Sequence, residues 1–232
     1  VIVLHQFAPP PWLPNASPFC MKVENYLRMT AVPFETNDKA SPMSAPKKKL
    51  PFITDGDKKI ADSAFIIDYL RATYGDPLDA AVSAPDRAMA TALCRLMEEH
   101  LYWSLIYSRW IDDAVWPATR ALFFGGLPAP LRAFVPHLAR KGIRTAMFGH
   151  GMGRHTPDEI YAMGKADLTV LSEFLGAKDF FLGPKPTSLD ATAYAFVANV
   201  VAAPFETPLK VHAATLGNLA PYCARMKSKY YA

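Results

Sequence analysis

Cysteine is scarce: the 232 residues hold three, Cys20, Cys94 and Cys223, far apart and odd in number. That excludes a disulfide framework and a zinc site built from thiolates, and it suits a reducing compartment. Excess charge is lacking too. Lys plus Arg number 25 against 21 for Asp plus Glu, a net +4, and the basic runs (Lys47, Lys48, Lys49; Lys58, Lys59) are short. With no aromatic stacking platform between them, they leave no nucleic-acid footprint. No stretch reaches the roughly 18 apolar residues of a membrane span. The most apolar run, Ala191 to Phe205, is interrupted by Thr192 and Asn199 and reads as a buried helix. The opening Val1-Ile2-Val3-Leu4-His5 has neither the basic region nor the cleavage site of a signal peptide. A soluble, cytoplasmic chain is the expectation, and no internal repeat is seen.

What is present is material for a core: 51% apolar residues with 20% charged excludes a disordered chain. The texture changes along the chain. From Val1 to about Tyr74, short β-type runs alternate with helical ones; beyond Pro85 the pattern is helical. Gly75-Asp76-Pro77 and the Asp79 to Pro85 stretch form the linker, which divides the chain into domains 1–76 and 86–232. Val1–Phe7 reads as a strand, followed by a loop rich in proline (Pro9, Pro10, Pro11, Pro14). Ser17-Pro18 then opens a helix with a serine cap and proline at the first helical position. Val32–Glu35 is a second strand. Pro51–Thr54, a turn at Asp55-Gly56 and Lys58–Ala61 form a hairpin. Asp62 or Ser63 caps a helix whose stripe is Phe65, Ile66, Tyr69, Leu70 and Tyr74. The order is βαβ, a loop, then ββα. Five helices are predicted beyond it: 86–116, 118–147, 157–175, 189–203 and 216–227. Thr187 and Asp190 form a capping-box pattern at the start of the most apolar one.

Three places carry candidate chemistry. Ser17-Pro18-Phe19-Cys20 lies at a strand–loop–helix junction, where unpaired amides and the helix dipole favour a thiolate or carboxylate. The bland alternative is a serine cap and a cysteine that only packs. At Leu50-Pro51 a proline enters a strand, which makes it an edge residue or a cis one. Asp62-Ser63 supplies a carboxylate, a hydroxyl and helix-start amides, which suit an amino acid's α-amino and α-carboxylate groups or an ordinary cap. The helix from Asp86 adds Glu98, His100, Tyr102, Trp103, Tyr107 and Trp110, a stripe that is either core or the wall of an apolar pocket. Tyr102, Trp103 and the loop residue Trp12 are the pocket candidates.

In combination, the strand, Ser-Pro-Phe-Cys at a helix start, Leu-Pro before a hairpin and Asp-Ser opening the next helix resemble the thioredoxin-like half of glutathione transferases. Phe180-Phe181-Leu182-Gly183 and Pro186 to Ala191 resemble that superfamily's buried capping segment. Pro14 to Cys20, Gly153 to Pro157 and the Pro221 to Tyr230 tail are most similar to its bacterial branch related to failed axon connections and metaxin-like proteins. The resemblance spans nearly the whole chain. It implies a thioredoxin-like α/β N-terminal domain, an all-α C-terminal domain, glutathione as co-substrate, no metal, and a homodimer. It further implies that Ser17 contacts the glutathione sulfur and that the Leu50 backbone pairs with the cysteinyl part. Pro51 would be the cis-proline, and Asp62 with Ser63 would hold the γ-glutamyl end. Asp62 is shorter than the Glu or Gln common there.

The implied activity is glutathione transfer to an apolar electrophile by addition, substitution or thiolysis. Two other readings stand beside it: a glutathione-fold binding protein without catalysis, and a thiol oxidoreductase or peroxidase using Cys20. Ser-Pro-Phe-Cys looks like the Cys-Pro-Tyr-Cys of glutaredoxins with its first thiol gone, which excludes a dithiol cycle. Cys20 is left with packing or a mixed disulfide. Gly149–Arg154 is glycine-rich but follows a helix, so it fails as a dinucleotide loop. His150 and His155, five apart without neighbouring ligands, do not suggest a metal. Lys47–Lys49 is a solvated face that also attracts anionic glutathione.

Overall fold

Ile2 and Leu4 alternate with half-buried Val3 and His5, which makes Ile2–His5 the strand β1. The computed structural model describes residues 1–231. β2 (Phe34–Asn37) pairs parallel with β1, and β3 (Phe52–Asp55) pairs antiparallel on its other side. β4 (Lys58–Ala61) completes a four-stranded sheet in the order β2-β1-β3-β4. A parallel β1–β2 pair needs a crossover, and α1 (Pro18–Met29) supplies it. β2 starts two residues later than the sequence suggests, because Pro33 has no N–H for the ladder. In the hairpin Asp55 pairs with Lys58, so the turn is Gly56-Asp57, with Gly56 at φ +56°.

α2 (Ser63–Tyr74) buries Ile66 and Leu70 of the expected stripe, with Ile67 added and Tyr69 half-buried beside them. Phe65 and Tyr74 are exposed. At about 100° per residue, Phe65 lies about 150° from the midpoint of the face that Ile66 and Ile67 define, and so points away from it. Its ring instead lies under the Lys47 ammonium, 4.4 Å away, while Tyr74 donates to Asp55 at 2.6 Å. α1 and α2 close one face of the sheet over Ile2, Leu4, Val23, Tyr26, Leu27, Ile53 and Leu70.

The helical half begins at α3 (Ala84–Arg95) and runs on as one rod through α4 (Tyr102–Ile106) to Ile111. Within it, Leu96–Leu101 and Tyr107–Ile111 are wider π turns. The helix expected over 118–147 is two, α5 (Trp116–Phe124) and α6 (Ala129–His150). Gly125, Gly126 and Pro128 break it. α7 (Pro157–Leu175) has the predicted bounds, with a Thr156–Glu159 capping box. α8 (Ser188–Val201) is buried along nearly its whole length, and the main core wraps around it. α9 (Pro208–Thr215) was not anticipated, and α10 (Leu219–Tyr230) starts later than expected. No helix among the described residues is long and apolar enough to cross a membrane.

Candidate functional site

Sheet register brings the candidate residues to one edge. His5, at the end of β1, pairs with Phe52 at the start of β3, and Phe52 pairs with Ala61 at the end of β4. One step beyond these pairs stand Pro51 and Asp62, side by side. The loop leaving β1 returns to the same edge as the first turn of α1. Cys20 of that turn packs with Leu50, Phe52 and Ala61 in one buried cluster. Ser17, Leu50-Pro51 and Asp62-Ser63 therefore converge.

Ser17 caps α1 from an extended conformation, with Pro18 at the first helical position. Its Oγ accepts the Cys20 N–H at 3.4 Å, which leaves the hydroxyl proton free to donate outward. Three hydrogen bonds hold Ser17 and the two residues before it. Asn15 Oδ1 accepts from Ser17 N at 3.0 Å, and Asn199 Nδ2 donates to Asn15 O at 3.2 Å. Arg109 Nη1 donates to Ala16 O at 2.8 Å. Arg109 is only 5% exposed, and its Nη2 donates to Asn199 O and Oδ1. All of these acceptors are neutral amides. Burial pushes the guanidinium pKa down to about 10, so the group remains charged at neutral pH. A cation with no carboxylate partner among the described residues thus lies directly behind Ser17. Sequence reasoning missed Arg109, because its partners lie about ninety residues away in either direction.

The Leu50–Pro51 peptide is cis, which resolves the two alternatives left open for that proline. Asp62 has φ 85° and ψ 127°, a region costly for a side-chain-bearing residue. Its exposed carboxylate accepts the Ala64 N–H at 3.0 Å and caps α2. Ser63, the first residue of that helix, is buried at 6% exposure.

Cys20 is fully buried, and that burial pushes its thiol up to about 11 despite the nearby Ser17 hydroxyl and Phe7 amide. At pH 8 roughly 0.1% is thiolate. The folded protein is therefore expected to resist iodoacetamide at Cys20 and to react there only in urea, read by peptide mass mapping. Labelling of the native chain at the rate of a free cysteine would contradict this placement.

The three pocket candidates part company. Tyr102 meets Phe19 edge-on at 5.0 Å, and its phenol feels both the Arg109 guanidinium and the Cys20 thiol. Trp12 is half-buried against the same core cluster. Trp103 turns the other way and stacks on His150 at 4.5 Å. Of the rest of the stripe, Glu98 is buried and paired with Lys22 of α1 at 2.5 Å, and His100 bonds Asp167 at 2.6 Å.

Known proteins share this fold and its order of domains. The glutathione S-transferase N-terminal domain model matches residues 18–115, and the C-terminal domain model matches 164–226. An isoprene-epoxide–glutathione S-transferase of Rhodococcus sp. (strain AD45) is 36% identical, over 99% of each chain. Failed axon connections of Drosophila melanogaster is 34% identical over 100% of this chain and 58% of its own length. Human metaxin-1 is 30% identical over 94% of this chain and 49% of its own. This chain thus spans about half the length of those two relatives. Among solved structures, a glutathione S-transferase of Ceriporiopsis subvermispora in complex with glutathione superposes with a TM-score of 0.65. That match covers 99% of this chain and 97% of the other, at 20% identity. With both domain models matched in order and a transferase of equal length aligned from end to end, the chain belongs to the glutathione S-transferase family.

Proposed function

We propose that this chain is a glutathione transferase that adds the glutathione thiolate to an apolar electrophile, with small epoxides the first class to test. The observation that carries the reading is the Ser17 hydroxyl at the start of α1, with its lone pair engaged by Cys20 N–H and a buried cation behind it. A hydroxyl so placed donates to a thiolate, and the helix start and Arg109 favour the same negative charge. In the reaction the sulfur attacks a ring carbon: the C–S bond forms, the C–O bond breaks, and the oxygen keeps the electron pair and takes a proton from water. The Leu50 backbone beside cis-Pro51 would pair with the cysteinyl segment. Ser63 and the strained Asp62 would hold the γ-glutamyl end. Trp12 and Tyr102 would border the electrophile. The epoxide assignment draws support from the full-length relative whose name carries that substrate.

The similarity to Failed axon connections and metaxin-1 supports a second reading, a binding protein without catalysis. Oxidoreductase chemistry at Cys20 is disfavoured by the buried, raised thiol. Calorimetric titration with glutathione tests the first reading. Wild type is expected to bind. Ser63→Ala is expected to bind roughly tenfold or more weakly, since it loses a hydrogen bond to a charged group. A folded protein that gives no heat at millimolar glutathione would defeat the transferase reading.

A further inference from the structure

Residues 114–157 contain no Asp or Glu and six basic residues: Arg120, Arg132, Arg140, Lys141, Arg144 and Arg154. The whole chain is net +4, so the remainder is net negative by two. This stretch folds as α5 and α6, within the segment that neither family model covers. It also carries the exposed apolar surface. Leu131, Phe134 and Leu138 are 51%, 70% and 67% exposed. Their spacing of three and then four residues puts them in one stripe along α6. Pro136 and Met147 are the residues this helix buries. Lys141 and Arg144, both exposed, continue from the stripe, and Phe148 follows them at 59%.

An apolar stripe of this kind, flanked by cations, marks a docking surface. A second copy applied hairpin to hairpin about a two-fold axis would bring Arg132, Lys141 and Arg144 of both copies into one interface, with no acid in the hairpin to answer them. An anionic bilayer surface meets both demands: its interface takes up the apolar side chains, and its phosphates meet the cations. We propose that the α5–α6 hairpin docks on anionic lipid surfaces, with Leu131, Phe134 and Leu138 entering the headgroup region and Arg132, Lys141 and Arg144 pairing with lipid phosphates. The helix lies in the plane of the interface and does not span it.

Co-sedimentation with vesicles of phosphatidylcholine, with and without phosphatidylglycerol, tests this. The full chain should pellet with the anionic vesicles and be released by high salt. Phe134→Ser with Leu138→Ser, and separately Lys141→Glu with Arg144→Glu, should each lower the binding constant about tenfold or more. All four side chains are exposed, so both variants should keep the wild-type thermal melt and glutathione binding. No pelleting, or equal pelleting by wild type and both variants, would overturn the proposal. So would light scattering in which the Phe134→Ser, Leu138→Ser variant alone loses half its mass, since the stripe would then be an interface between copies.

Discussion

Asp190→Ala is expected to lower the unfolding free energy by about 3–5 kcal/mol. The carboxylate is fully buried, yet it accepts from Phe181 N at 3.0 Å, Thr187 N at 2.8 Å, Thr187 Oγ1 at 3.1 Å and Tyr222 Oη at 3.2 Å. Removing it strands the buried Phe181 and Thr187 amides, each at about 1–3 kcal/mol, while the Tyr222 hydroxyl keeps the Asp190 carbonyl as an acceptor at 3.3 Å. It also removes the capping box from α8, the helix at the centre of the core. Against a total stability of about 5–15 kcal/mol, that loss decides whether the chain stays folded at 37 °C. Asp190→Asn should fall between, because the amide keeps one acceptor oxygen and turns a donor toward donors. Urea midpoints measure both, and an alanine variant within about 1 kcal/mol of wild type would mean that the cap contributes little.

Ser17→Ala should produce the largest loss of activity. A free thiol of pKa about 8.5 is only about 3% thiolate at pH 7, and lowering it to about 6.5 needs about 2.7 kcal/mol of differential stabilisation. A hydroxyl bonded to an anion supplies roughly 1.5–3 kcal/mol of that, and a helix start about 0.3–1. Without the hydroxyl, the bound thiol pKa should rise by about one to two units. From about 6.5, that cuts the bound thiolate at pH 7 from about 75% to between about 25% and 3%, so kcat should fall about threefold to twenty-fivefold. The sign sets the pH profile: a raised thiol pKa withholds thiolate at neutral pH and returns it in alkali, so the variant should regain ground on wild type as pH rises. Thiolate absorbance of the bound tripeptide reads the pKa directly. The alanine also removes a helix cap, for about 0.5–2 kcal/mol of stability, so a thermal melt accompanies the kinetics. An unchanged pH profile in a folded variant would take Ser17 out of the chemistry.

Where local chemistry decides a feature, the sequence was legible. Ser17-Pro18 opened a helix, an Asp-Gly signal marked the hairpin whose turn falls one residue further on, and Thr187 with Asp190 capped α8. The break at Gly125-Gly126 was readable too, but the apolar periodicity on either side of it hid the interruption. α9 opens with Thr207-Pro208, a cap-and-proline pair of the same kind as Ser17-Pro18. That signal could have found it. The π turns could not have been read, because slipping a hydrogen bond by one residue changes no composition. Phe65 was assigned inward on hydrophobicity alone, although two adjacent isoleucines had already fixed the face. At the candidate site, the residues on the sheet edge announced themselves through local motifs. Arg109 did not, since a lone arginine gains its place only when α1, the second π turn and α8 are brought together.

Lys22 and Glu98 belong to different halves of the chain, and each is about 6% exposed. Asn25 donates to Ala191 O across the same divide at 2.8 Å, and Ser188 N donates to linker Asp79 at 2.9 Å. Pulling the halves apart would return the two charges to water but bare the apolar ground packed between α1 and α8, at about 25 cal/mol for each Å² exposed. The thioredoxin-like part is consequently not a detachable module. A backbone cut between Gly75 and Ser83 would leave two fragments with every reason to remain together, and neither half can be exchanged or truncated without rebuilding the other's interior.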